Sequence, residues 1–96
     1  PFFGVTATAQ GLLFVYPGDI GERVAVAGDF NDWSVDAHLL RYDPALGVWQ
    51  RCIEVADGRY RYRLLIDGQW RTDRYNPYVE SNPFGQLNNV ATFPGR

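Results

Sequence analysis

The stretch Gly58-Arg59-Tyr60-Arg61-Tyr62-Arg63-Leu64-Leu65-Ile66-Asp67-Gly68-Gln69-Trp70 decides the fold of this chain. Asp-Gly between two apolar-rich runs favours a two-residue hairpin turn, because both turn positions need positive φ. Upstream of the turn the residues alternate. Tyr60, Tyr62, Leu64 and Ile66 fall on one face; Arg59, Arg61, Arg63 and Leu65 fall on the other. A period of two with one apolar set is a strand with one buried face, and the tyrosine-leucine set is the core face. Across a two-residue turn Ile66 opposes Gln69, Leu65 opposes Trp70 and Arg63 opposes Thr72. Leu65, Trp70, Arg63 and Thr72 therefore share the outer face, with Arg63 diagonal to Trp70 and within reach of it. Arg71 falls on the core side, so it has to sit at the sheet margin or extend its head to water.

Outward from this hairpin, turn signals recur every eight to twelve positions, the spacing of a β-sandwich or barrel. They fall at Pro17-Gly18, Gly28-Asp29, Asp43-Pro44, Asp57-Gly58, Asp67-Gly68, Asn82-Pro83 and Pro94-Gly95. Strands are expected at Leu12 to Tyr16, Arg23 to Ala27, Val48 to Val55, Arg59 to Ile66, Gln69 to Thr72 and Asn89 to Phe93, with a short one at Leu39 to Tyr42. No window holds helical periodicity for three turns, and no internal repeat is present. The segment from Asp73 to Leu87 carries two prolines and small polar residues and reads as a long ordered loop.

Ninety-six residues suit one domain, and 46% apolar residues suffice for a core. Six Tyr, six Phe and three Trp exceed the needs of so small a core, so some of these rings belong on the surface. The net charge is −2, and all nine basic residues are arginine. An acidic chain with no basic cluster beyond Arg59, Arg61 and Arg63 is a poor match to nucleic acid. No apolar run reaches membrane-spanning length, and the chain opens on Pro1 with no signal-peptide pattern, as expected of a domain excised from a longer protein. Cys52, alone and without metal-spaced neighbours, reads as a buried free thiol in a reducing compartment, hence a cytoplasmic protein.

Trp33 closes Gly28-Asp29-Phe30-Asn31-Asp32-Trp33, and Trp70 follows the hairpin turn. Indole faces pack on the C–H faces of pyranose rings, while Arg, Asn and Gln side chains pair with sugar hydroxyls. Trp33, Trp70, Arg63, Gln86, Asn88 and Asn89 supply both kinds of group; Trp49, opening a strand of mixed pattern, reads as core. The structural alternative for Trp33 and Trp70 is that they too fill the core. The arginine row reads as a solvated strand face more readily than as a phosphate site. Asp29 and Asn31 are expected to bond nearby backbone in their turn, and His38 to stand alone on the surface. No carboxylate pair faces across a cleft, no nucleophile frame surrounds Ser34 or Ser81, and no phosphate loop or metal spacing occurs, so neither catalysis nor a cofactor is expected.

Four ordered blocks carry a resemblance. They are Val24-Ala25-Val26-Ala27-Gly28-Asp29-Phe30-Asn31-Asp32-Trp33, Gly58 to Arg63, Ile66-Asp67-Gly68-Gln69-Trp70 and Asn88-Asn89-Val90. Together, over about Gly11 to Phe93, they resemble carbohydrate-binding module family 48, and within it the glycogen-binding domain of the β subunit of AMP-activated protein kinase. The resemblance implies an all-β, immunoglobulin-like (early set) antiparallel β-sandwich. It implies binding of α-1,4-linked glucans: glycogen, starch-derived chains, maltooligosaccharides and cyclodextrins. The family's two glucan-cradling tryptophans match Trp33 and Trp70. Its basic contact, usually lysine, matches Arg63, a planar fork that is not equivalent. Its loop residues match Phe84, Gln86 and Asn88, in a loop one residue longer near Pro83 and substituted at its two middle positions.

The expectation is a single non-catalytic module that targets an attached protein to an α-glucan. Trp33 and Trp70 stack on successive rings, Arg63, Gln86 and Asn88 bond hydroxyls, and Phe84 packs against the curve of the chain. The alternative is an interaction module that packs the same sandwich against an attached catalytic or kinase domain. The exposure of Trp33 and Trp70 discriminates the two. A small glycoside hydrolase is the third reading, opposed by the lack of a carboxylate pair.

Overall fold

The computed structural model describes residues 2–19 and 22–94; Gly95 of the last turn signal lies outside the described residues. Nine strands follow in chain order: β1 (Gly4–Ala7), β2 (Leu12–Pro17), β3 (Val24–Gly28), β4 (Arg41–Asp43), β5 (Val48–Ile53), β6 (Gly58–Ile66), β7 (Gln69–Arg71), β8 (Val79–Ser81) and β9 (Leu87–Phe93). One turn of 3-10 helix, Asp29–Asn31, follows β3. Every pairing is antiparallel, in a four-stranded sheet β1-β2-β5-β4 and a five-stranded sheet β3-β6-β9-β8 in which β7 also pairs with β6. The two sheets pack as an immunoglobulin-like all-β sandwich.

The hairpin forms as the sequence requires. Ile66 pairs with Gln69 and Leu65 with Trp70. Asp67 and Gly68 both have positive φ, 52° and 81°, the backbone that matches the right-handed twist of the two strands. The core face of β6 meets the other sheet: Tyr62, Leu64 and Ile66 bury against Leu12, Phe14 and Ile53, with Val24, Val26, Leu40 and Ala91 around them. The Phe14 and Tyr62 rings meet edge to face at 4.9 Å. Gly28 closes this packing. Its φ of −170° is ordinary extended backbone, but a Cβ there would lie 2.5 Å from the Arg61 carbonyl oxygen and 2.8 Å from the Tyr62 Cβ.

Under the Asp73-to-Leu87 segment lies a buried polar cluster. The Tyr62 hydroxyl donates to Asp73 Oδ2 at 2.8 Å, and Asn76 Nδ2 donates to the same hydroxyl at 3.1 Å and to the Val90 carbonyl at 3.0 Å. Asn89, fully buried, accepts from the Asp73 amide at 2.7 Å and donates to the Asp73 and Asn76 carbonyls, both at 3.0 Å. Side chains thus satisfy backbone groups that no strand partner reaches. Burial, and after it the Asp73 charge, pushes the Tyr62 phenol well above its ordinary 10.0.

Several expectations are corrected. The segment Asp73 to Leu87 is not loop throughout, because β8 lies within it; β1 was not anticipated. Strands end at Ile53 and Arg71 rather than Val55 and Thr72. Cys52 is exposed, since it stands opposite Leu13 on the outward face of the first sheet, and its thiol offers no footing for a buried-cysteine reading. Trp49 is half-buried rather than fully buried: it packs against the core, its ring tilted at 59° to Tyr42 at 5.2 Å, and its N–H donates to the Asp19 carbonyl. His38 is no lone surface residue: its Nδ1 meets Asn31 Nδ2 at 2.9 Å and its ring meets Phe30. Burial, then the Arg51 charge, lowers its pKa.

Candidate functional site

The outer face of the second sheet is built around small residues. Ala25 pairs with Leu65 and Ala27 with Arg63. Both alanines are fully buried and Leu65 nearly so, because the Trp33 ring lies on them. Two methyl side chains two residues apart on one strand face make a shelf against which the indole packs. Trp70, opposite Leu65 on β7, stands beside it and is 43% exposed. The two ring centroids are 6.4 Å apart and the planes meet at 45°. The result is a bent apolar platform rather than a flat one.

Trp33 reaches the shelf through an unusual backbone. Asp32 and Trp33 both have left-handed φ, 58° and 60°, a conformation costing non-glycine residues about 1–3 kcal/mol. The turn is held by several bonds. Asn31 Oδ1 accepts from the Gly28 amide, its Nδ2 donates to the Val26 carbonyl, and the Trp33 amide donates to the Gly28 carbonyl at 2.9 Å. Asn31 therefore bonds nearby backbone as expected, whereas Asp29 does not. Its Oδ2 accepts from the Arg61 amide at 2.8 Å and Arg61 Nε at 3.2 Å, and its Oδ1 accepts from the Trp33 indole N–H at 3.2 Å. Burial raises the Asp29 pKa, but the bonds from Arg61 and Trp33 outweigh it and the net shift is downward.

The three arginines of the row part company. Arg59 pairs with Glu80 at 2.6 Å, and Arg61 lies 3.2 Å from Asp29 and 3.7 Å from Glu80. Arg63 sits over the Trp70 ring at 5.8 Å, close enough for a cation–π contact. Its Nε is buried without an acceptor, and no carboxylate pairs with it among the described residues. On the far side, Asn82 folds the chain into a tight turn: its Oδ1 accepts from the Phe84 and Gln86 amides at 2.9 and 3.0 Å, and its own amide donates to the Gln86 carbonyl at 2.7 Å. Phe84 stands on that turn 87% exposed.

An open groove of about 750 Å³ runs between the two walls, lined by Trp33, Arg61, Arg63, Trp70, Asn82, Pro83, Phe84, Gln86 and Asn88. Trp33, Arg63, Trp70, Phe84, Gln86 and Asn88, named from the sequence, all meet in it. Asn89 does not; it faces the interior cluster, one residue and one strand face away from Asn88. Arg61, Asn82 and Pro83 were missed. The signal for Arg61 was present, since it alternates onto the same face as Arg63, and Asn-Pro announced the turn but not its place beside the indoles.

The groove offers two angled aromatic faces, a guanidinium fork and neutral amides. Among the described residues no carboxylate lines it, so they supply no acid–base pair there. Among the described residues no group of three His, Cys, Asp or Glu could hold a metal ion, and no helix is long and apolar enough to cross a membrane.

Residues 12–94 match the glycogen recognition site of AMP-activated protein kinase. The chain is 29% identical over 85 residues to 5'-AMP-activated protein kinase subunit beta-1 of Sus scrofa, a match covering 88% of this chain and 65% of that one. It is 30% identical over 84 residues to subunit beta-1 of Bos taurus, covering 88% and 29%. It is 30% identical over 70 residues to subunit beta-2 of Homo sapiens, covering 73% and 24%. The chain thus spans from 24% to 65% of the length of these relatives.

Proposed function

Given that the chain belongs to the family of the AMP-activated protein kinase glycogen recognition site, we propose that its groove binds α-1,4-linked glucan and attaches whatever carries the domain to glycogen or starch. The family is non-catalytic, and the groove is furnished for binding. The observation that carries the reading is the pair of indoles set 6.4 Å apart at 45° beside Arg63. An α-1,4 chain turns each glucose relative to the last, so successive rings present C–H faces at an angle, and a bent platform matches two of them at once. A flat, extended β-linked chain would meet one indole and miss the other.

In this reading Arg63 and the Asn88 and Gln86 amides bond ring hydroxyls, and Phe84 closes the convex side of the glucan. Aromatic contacts worth about 1 kcal/mol each beyond area burial give micromolar to millimolar affinity. Cyclodextrins and short maltooligosaccharides, which hold the same curvature, are ligands in this account. The relatives are named as kinase subunits, and a kinase is accordingly the partner we propose for the full protein. Native electrophoresis through gels cast with glycogen or with a soluble cellulose ether tests the reading. Retardation by glycogen alone is expected; equal migration in both gels would refute it.

A further inference from the structure

We propose that Asp29 is the positioning residue of the glucan platform, fixing the Trp33 indole against Trp70; this rests on the proposed glucan-binding reading of the groove. The carboxylate serves two masters. One oxygen accepts the Trp33 indole N–H, and the other accepts the Arg61 backbone and side-chain N–H groups. Arg61 lies on β6 two residues before Arg63, whose guanidinium covers Trp70. Trp70 is itself registered on β6 through Leu65. Both indoles are thereby referenced to one strand: Trp70 by the sheet ladder, Trp33 by this carboxylate.

The need for such a tie follows from the local backbone. Asp32 and Trp33 both sit in the left-handed region, so the ring would otherwise hang on a strained turn. The shelf of Ala25, Ala27 and Leu65 gives the ring a surface to lie on but no bond to set its angle. Asp29 supplies that bond, and its two oxygens take donors from opposite sides, Trp33 on one and Arg61 on the other. An asparagine could accept from Trp33 or from Arg61, but its amide N–H₂ would then face donors on the other arm. The requirement is thus for a carboxylate and not for a polar side chain of that size.

The test is Asp29→Asn, with Asp29→Ala as a second variant that removes both acceptor oxygens. Two indoles this close couple their ultraviolet transitions and give a circular-dichroism couplet that depends on their mutual angle. Both variants are expected to keep their thermal transition and lose most of the couplet. Their affinity for β-cyclodextrin is expected to fall about tenfold. In a Trp33→Phe background, which has no indole N–H, Asp29→Asn is expected to change affinity less than twofold, as for groups acting through one another. An intact couplet and unchanged affinity in folded Asp29→Asn would overturn the proposal, and so would an equal loss in the Trp33→Phe background. If the parent chain bound no glucan, the couplet would still decide the role of Asp29, and only the glucan reading would fall.

Discussion

Trp70→Ala is expected to weaken binding far more than it weakens the fold. Trp70 is 43% exposed and lies on β7, a three-residue strand at the margin of its sheet. Of the roughly 250 Å² a tryptophan offers, about 100 Å² is therefore open to solvent. A glucose ring covering half of that buries about 50 Å², worth about 1.3 kcal/mol at about 25 cal/mol/Å². Specific face contact adds about 1 kcal/mol. The sum is about 2 kcal/mol, so Kd for maltoheptaose should rise roughly 30-fold. The stability cost should stay under about 1 kcal/mol, because the ring rests on surface neighbours and not in the core. For a domain of this size that is a fall in Tm of less than about 8 °C. Calorimetric titration and a thermal melt of the same sample measure both numbers. A Kd within threefold of the parent, in a protein that melts normally, would refute the stacking argument. A collapse in Tm would refute the claim that the ring is a surface element.

Three further predictions follow from the packing. Tyr62→Phe strands Asp73 Oδ2 and half of the Asn76 amide in the interior and should cost about 3 kcal/mol, lowering Tm by about 15 °C; an unchanged melt would deny the buried cluster its role. Gly28→Ala drives a methyl into the Arg61 carbonyl and the Tyr62 side chain; a loss of about 2 kcal/mol in urea unfolding is expected, and a neutral result would mean that β3 and β6 can part freely. Phe84→Ala, at a ring 87% exposed, should leave Tm within about 2 °C while weakening maltoheptaose about threefold; an effect on melting without one on binding would place the ring in the fold instead of the site.

Much of the architecture was legible because its signals are local. The Asp67-Gly68 turn fixed a register, and the register put Trp70 and Arg63 on one outer face without any knowledge of the opposite sheet. The buried alanines beneath Trp33 were visible as residues but not as a shelf, since their meaning depends on Ala25 and Ala27 lying beside Leu65 and Arg63 across a strand pair. The Asp29 carboxylate pairs with an arginine 32 positions away, a distance over which no pattern in a single chain speaks. The strand Val79–Ser81 escaped notice for the opposite reason: three residues bounded by Pro77 and Pro83 are too short to show a period. Cys52 was misjudged because Val48 to Val55 mixes apolar and polar residues on both faces, so alternation could not say which way the thiol points.

The glucan-binding claim is tested most directly by titrating the intrinsic tryptophan fluorescence of the folded chain with β-cyclodextrin, alongside Trp33→Ala. A saturable change in the parent, with a micromolar to millimolar midpoint and absent from the folded variant, is the result this account predicts. No change in the parent up to millimolar ligand would contradict it and leave the groove without the glucan assigned to it.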